Sequence, residues 1–152
     1  MKREHPPVYQ ESEAEAVRRG ETQMYEDSSR LNVSCARAIE RAIRDYFDGK
    51  ESLCDGCAQS VLEEYGAERV GFVLANTMQN VGCRYYHSDE VLQWSKDNRT
   101  PSNGKYDRYF TVDTAAGLLD AFIGQFQQAH QALAESDQEQ TGAPAQGGME
   151  MR

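Results

Sequence analysis

No stretch of this chain is apolar enough to cross a membrane as a helix or to act as a signal peptide, and the expectation is a cytoplasmic protein. Basic residues are the minority: 16 Lys and Arg against 25 Asp and Glu leave a net charge of -9. That balance argues against a general nucleic-acid coat protein, which draws its affinity from cationic neutralisation of phosphates. The acidic excess is spread along the chain, so a basic partner surface is the natural complement. Histidine is scarce, with 3 in the chain, and none stands beside an evident Ser or Cys partner. A nucleophile elbow, a Walker loop, an H-E-x-x-H helix and a nucleotide-binding glycine fingerprint are all missing. The expectation is a protein that is not an enzyme. Its 4 cysteines, in a reducing compartment, are expected as thiols or metal ligands.

What is present is helical periodicity. Over residues 68–81, Val70, Val73, Leu74, Thr77, Met78 and Val81 recur at the three-four spacing, while Phe72 and Ala75 put apolar groups on the far side. A helix apolar on both sides belongs in the centre, and its polar Asn76, Thr77, Gln79 and Asn80 then need partners, either backbone groups to cap or a ligand. Further helices are predicted over 9–19, 21–48, 56–65, 89–97 with Ser88 as N-cap, and from the cap Thr114 to about 135. Two short pieces, 84–87 and 109–112, read as extended and as a candidate strand pair. The fold class expected is therefore mainly α, about five helices around a central buried helix, with at most one short strand pair. Residues 8–135 form the single domain, between a flexible lead-in over 1–7 and a disordered tail over 136–152 that has almost nothing to bury.

Three groups of residues carry candidate chemistry. Arg30, Arg37, Arg41 and Arg44 fall within a narrow arc of the long second helix, an anion-binding stripe unless the acids at helical spacing around them make an ordinary solvated face. Between Arg84 and Phe110 the cations Arg84, Lys96, Arg99, Lys105 and Arg108 interleave with Tyr85, Tyr86, Trp94, Tyr106 and Tyr109, a pattern able to stack bases or to form a protein-protein hot spot. Cys54 and Cys57 in C-D-G-C, with Cys83 and His87 in C-R-Y-Y-H, supply the ligand types of a tetrahedral zinc site. Zinc is an alternative here and no cofactor is required, because the long helices close a core without a metal. Cys35 and His130 lie on apolar faces and read as packed residues.

The segments P-V-Y at Pro7, S-x-x-x-N-x-x-C-x-x-A-I from Ser28, Y-F-D-G from Tyr46, E-Y-G-A-E-R-V-x-x-V-L-A-N-T from Glu64 and G-L-L-D-A-F-I from Gly117 resemble a bacterial family, domain of unknown function 3849, carried by mobile elements and phages of gut Firmicutes. Where such domains tend to read D-G-R-F-S, this chain reads G-C-R-Y-Y, and Cys54, Cys57 and Cys83 look peculiar to it. The resemblance implies a context, since a small acidic protein of this kind is similar in profile to anti-CRISPR proteins. The expected function is an inhibitor that binds a type II CRISPR effector nuclease and blocks DNA engagement or cleavage. Its expected contacts are Glu11, Glu13, Glu15, Glu26 and Asp27, with Tyr85, Tyr86 and Trp94 as aromatic anchors. The alternatives are a nucleic-acid-binding accessory or regulatory protein using the cations above, and a small zinc-binding interaction module. A homodimer through the apolar helix faces is also open.

Overall fold

The computed structural model describes residues 5–80, 86–101 and 106–142. Among them run α1 (Glu13–Arg19), α2 (Thr22–Tyr46), α3 (Cys57–Tyr65), α4 (Ala67–Gln79), α5 (Asp89–Asp97) and α6 (Ala116–Gly142). The mainly α reading is correct. Each boundary has a local cause. Ser12 accepts the Glu15 N–H at 3.2 Å to start α1, and Gly20, at φ 71°, closes it in the left-handed region. The Asp48 carboxylate accepts the N–H groups of Lys50, Glu51 and Ser52 at 2.8, 3.1 and 3.1 Å. It folds the connector after α2 back on itself, so that Phe47 and Leu53 form an isolated antiparallel bridge. Ser88 caps α5 by accepting the Val91 N–H at 3.2 Å.

The core gathers on α4, which packs against α2, α3, α5 and α6. Val70, Val73, Leu74 and Met78 are fully buried there against Ile39, Ile43, Phe122 and Ile123. Val81 lies outside the described residues. Burying these side chains, at roughly 25 cal/mol per Å² of apolar surface removed from water, stabilises the packing of α4 on its neighbours.

Three expectations need correction. Residues 109–112 do not form a strand: a turn through Phe110 gives way to irregular chain, because its backbone groups are bonded by side chains of α2 and α4 rather than by a neighbouring strand. Only Tyr86 and His87 of the proposed partner piece are described. Helix α6 continues past residue 135 to Gly142, since Ser136 to Gln140 contains no Gly or Pro and includes good helix formers; residues 143–152 lie outside the described residues. The lead-in, expected to be flexible, is held down from His5 onward. His5 Nε2 donates to the Glu63 carbonyl at 3.1 Å, and the imidazole sits so close to Gly66 that a Cβ there would meet it at 2.8 Å.

Arg69 ties these parts together. Only 1% exposed, it donates from Nη1 to the Ser28 carbonyl at 2.9 Å and to Asn32 Oδ1, and from Nη2 to the Pro7 carbonyl at 3.0 Å. Beside it the Tyr9 N–H donates to Ser28 Oγ at 3.0 Å and the Val8 N–H to Glu68 at 3.3 Å. Replacing Arg69 by Leu orphans several buried acceptors, each costing about 1–3 kcal/mol. Arg69→Leu is expected to lose at least about 3 kcal/mol in urea unfolding, with Arg69→Lys recovering only part because it lacks the planar fork. A loss below about 1 kcal/mol would mean that these acceptors find other partners.

Candidate binding faces

The polar edge of α4 is spent on backbone. Asn76 Nδ2 donates to the Asp107 carbonyl at 2.7 Å. Thr77 Oγ1 donates to the Val73 carbonyl at 2.8 Å and accepts the Val112 N–H at 3.0 Å. Gln79 accepts the Thr100 N–H at 2.6 Å, and Asn80 returns its amide to the Asn76 carbonyl at 2.8 Å. Of the two readings open in the sequence, capping of neighbouring backbone is the one observed. These bonds lay the segment up to Asp113 across the molecule, and α2 completes the clamp. Arg37 Nη2 donates to the Thr111 and Tyr109 carbonyls at 2.7 and 3.2 Å, while Glu40 accepts the Asp113 N–H at 2.7 Å.

Two candidate faces result, joined by a row of rings. Tyr9 and Tyr25 meet edge to face with centroids 6.1 Å apart, Tyr25 and Tyr106 lie 6.0 Å apart, and Tyr106 and Tyr109 6.2 Å apart. At the Tyr109 end a groove of about 590 Å³ is lined by Arg37, Asn80, Arg108, Tyr109, Thr111 and Asp113. It brings a member of the arginine stripe together with members of the aromatic-basic segment. Arg30, Arg41 and Arg44 are exposed along α2, with Arg30 facing Asp27 at 3.7 Å. Lys96 and Arg99 are exposed at the end of α5, and Arg84 and Lys105 lie outside the described residues.

At the other end the rings meet carboxylates. The Tyr9 hydroxyl donates to Glu21 at 2.7 Å; burial, this hydrogen bond and the charges of Glu21 and Glu11 push its pKa up to about 12 against the opposing effect of Arg19. Tyr25 is raised by burial first, while Glu13 and Asp107 add to the shift. Glu11, Glu13, Glu21 and Asp107 therefore act on one tyrosine pair. Of the other expected acidic contacts, Glu26 is half-buried and Asp27 exposed. Glu15 is taken: it pairs with Arg18 and, at 2.7 Å, with Arg19. Tyr86 is 66% exposed, Trp94 is half-buried, and Tyr85 lies outside the described residues.

Cys54 and Cys57 share the turn into α3, and His87 stands just before α5. Cys54 is exposed and Cys57 buried, and burial pushes the Cys57 thiol up to about 11. Gln125 spans this turn, accepting the Ala58 N–H and donating to the Cys54 carbonyl, each at 3.0 Å. His87 Nδ1 meets Asp120 at 2.6 Å, and the other Asp120 oxygen accepts the Ser88 N–H at 2.7 Å, so this carboxylate ties the start of α5 to α6. Cys83 lies outside the described residues. Among the described residues, no three of His, Cys, Asp and Glu gather as a metal site. Cys35 is fully buried, its thiol pushed up to about 12 by burial, in keeping with the packed reading. His130 is exposed, though its ring rests 5.8 Å from that of Phe126.

Sequence reasoning gave Arg69 and Asp120 no role and took Glu40 for a partner of Arg44, whereas it faces Arg37 at 3.5 Å. The legible signal for Arg69 was the polar pair Ser28 and Asn32 inside an apolar stripe, one helical turn apart and in need of a donor. Compared with known proteins, residues 8–131 match the model of one family, described as Protein of unknown function (DUF3849). No curated protein and no solved structure matches the chain significantly.

The Glu15 pairing makes a pH prediction. Hydrogen bonds from Arg18 and then Arg19 hold its carboxyl down at about 2, against a usual 4.5. A depressed carboxylate contributes stability that is present above its unfolded pKa and is lost as pH falls through its folded one. Glu15→Gln is therefore expected to remove part of the fall in stability between pH 4.5 and 2, followed by thermal melts at each pH. An unchanged acid limb would mean that the pair contributes nothing to folding.

Proposed function

Because the chain belongs to the DUF3849 family, whose description assigns no activity, we propose a role from its surfaces: a non-enzymatic binding protein that presents the acidic, tyrosine-bearing end of α1 and α2 to a basic partner. The observation that carries this reading is the convergence of Glu11, Glu13, Glu21 and Asp107 on Tyr9 and Tyr25. Rigid aromatic side chains beside negative charge are the ingredients of a steered, specific contact. The overall charge of -9 points the same way. In its finer form the partner is a defence nuclease, a type II CRISPR effector, whose positively charged channel holds nucleic acid. The protein occupies that channel and blocks DNA engagement or cleavage. Carriage on mobile elements and phages, and a cytoplasmic site of action, belong to the same proposal.

A second reading rests on the groove at the other end of the tyrosine row, where Arg37, Arg108 and Tyr109 meet. Arginines beside an exposed ring can hold a single nucleic-acid strand by phosphate pairing and stacking. Arg37 is already committed to two loop carbonyls, so Arg108 is the cation to test.

Stoichiometric inhibition of purified, guide-loaded type II effectors, with DNA binding by the protein alone measured in parallel, decides between the two. The expected outcome is loss of cleavage near equimolar protein, weakened by the combined change Glu11→Gln and Glu13→Gln. If no effector in a representative panel binds or loses activity at micromolar excess, while the protein alone binds DNA in a salt-dependent manner that Arg108→Ala weakens, the nucleic-acid reading replaces it.

A further inference from the structure

A separate cleft of about 330 Å³ opens where α4, α5 and α6 meet. Glu68 and Phe72 come from α4, Trp94 and Arg99 from the end of α5 and just beyond it, and Phe126 and His130 from α6. Trp94 and Phe126 stand edge to face, with centroids 5.9 Å apart at 76°, and Phe72 is backed by Phe110 at 6.0 Å. Gly71 makes this arrangement fit, since a Cβ there would come within 3.1 Å of the Phe126 ring. Glu68 is held in place by the Val8 N–H at 3.3 Å and Gln10 Nε2 at 3.0 Å. Among the described residues these two donors occupy about half of the carboxylate's roughly four lone-pair sites.

Aromatic rings beside a fixed carboxylate attract a cation, through the negative ring faces and the charge together. We infer that this cleft receives an arginine side chain of the basic partner, its guanidinium plane against the rings and its N–H groups on Glu68. A guanidinium is favoured over an ammonium because it is planar, weakly hydrated and able to stack. Arg99, exposed at the rim, opposes the incoming charge and keeps the site selective for a side chain that can stack. The inference rests on the basic-partner reading, and its test needs no nuclease.

Trp94 is the only tryptophan in the chain, so intrinsic fluorescence reports on the cleft directly. The full chain is titrated with acetyl-Gly-Arg-Gly-amide and with the same peptide carrying citrulline or glutamate in place of arginine. The expected result is saturable quenching by the arginine peptide, at least about fivefold weaker for citrulline, with that preference lost in Glu68→Gln and strengthened in Arg99→Gln. Arg99→Gln changes only an exposed side chain, so it keeps the test open should Glu68→Gln fail to fold. No quenching, equal responses to arginine and citrulline, or tighter binding of the glutamate peptide would overturn the assignment. Peptide binding without engagement of any nuclease would leave the cleft standing and remove the inhibitor reading. Inhibition unchanged by a folded Glu68→Gln would do the reverse.

Discussion

The burial of Arg69, whose hydrogen bonds among the described residues all go to neutral acceptors, is the constraint on which the rest of this fold depends. A cation is expensive to remove from water, and burial lowers the Arg69 pKa while the charge of Glu68 acts the other way. The cost is offset only if every nearby acceptor is aimed at the guanidinium. Those acceptors are neutral and come from separate places in the chain: Ser28 and Asn32 on α2, and the Pro6 and Pro7 carbonyls of the lead-in. A proline lends itself to this, because it offers a carbonyl and carries no N–H of its own to satisfy. The lead-in, α2 and α4 are therefore fixed relative to one another by one side chain, and Tyr9 is delivered to Tyr25 as a result. The P-V-Y, S-x-x-x-N and E-R-V segments meet at this point, joined by these bonds.

A parallel argument applies at the other end of α4. Asn76, Thr77 and Gln79 bond the backbone at Asp107, Val112 and Thr100, and Arg37 with Glu40 bonds it at Tyr109, Thr111 and Asp113. Irregular chain on a small domain carries backbone groups that need partners. Here they are supplied by side chains, which frees the segment from needing a neighbouring strand. The exposed Tyr109, at 64%, is thus mounted on a segment fixed from two helices. Rigidity of this kind lowers the ordering cost of a contact surface.

The helices were legible because periodicity, caps and glycine stops agree locally. Asp89 to Asp97 with Ser88 as cap was readable to the residue, since the first-turn acids and the capping serine fall together. The α4 register was readable too, because apolar residues on both sides admit only a central position. What was not legible depends on pairing across the chain. Nothing local to residues 109–112 announces that Thr77, 35 positions away, will take the Val112 N–H, and a short piece rich in aromatic and β-branched residues then reads as a strand. The lead-in failed for a similar reason, its anchor being a side chain 62 positions away. Among the site residues, type was readable and engagement was not: Glu15 and Arg37 are charged and exposed in part, yet both are committed to internal partners.

That distinction bears on which charges are available to a partner. Of the acids at the start of the chain, Glu15 is consumed by Arg18 and Arg19 and Glu11 lies 3.9 Å from Arg19, while Glu11, Glu13 and Glu21 also act on the tyrosines. On the cationic side Arg37 is consumed by the loop, while Arg108 stands exposed beside Tyr109. The tyrosine row thus runs from carboxylates to an arginine, and its two ends prefer partners of opposite sign. Successive ring centroids are about 6 Å apart, and Asp107, one of the acids acting on Tyr25, is the chain neighbour of Arg108. A carboxylate is thus carried into the cationic end, so a basic partner that engages the acidic end meets Arg108 with a negative charge beside it, which lowers the repulsion there.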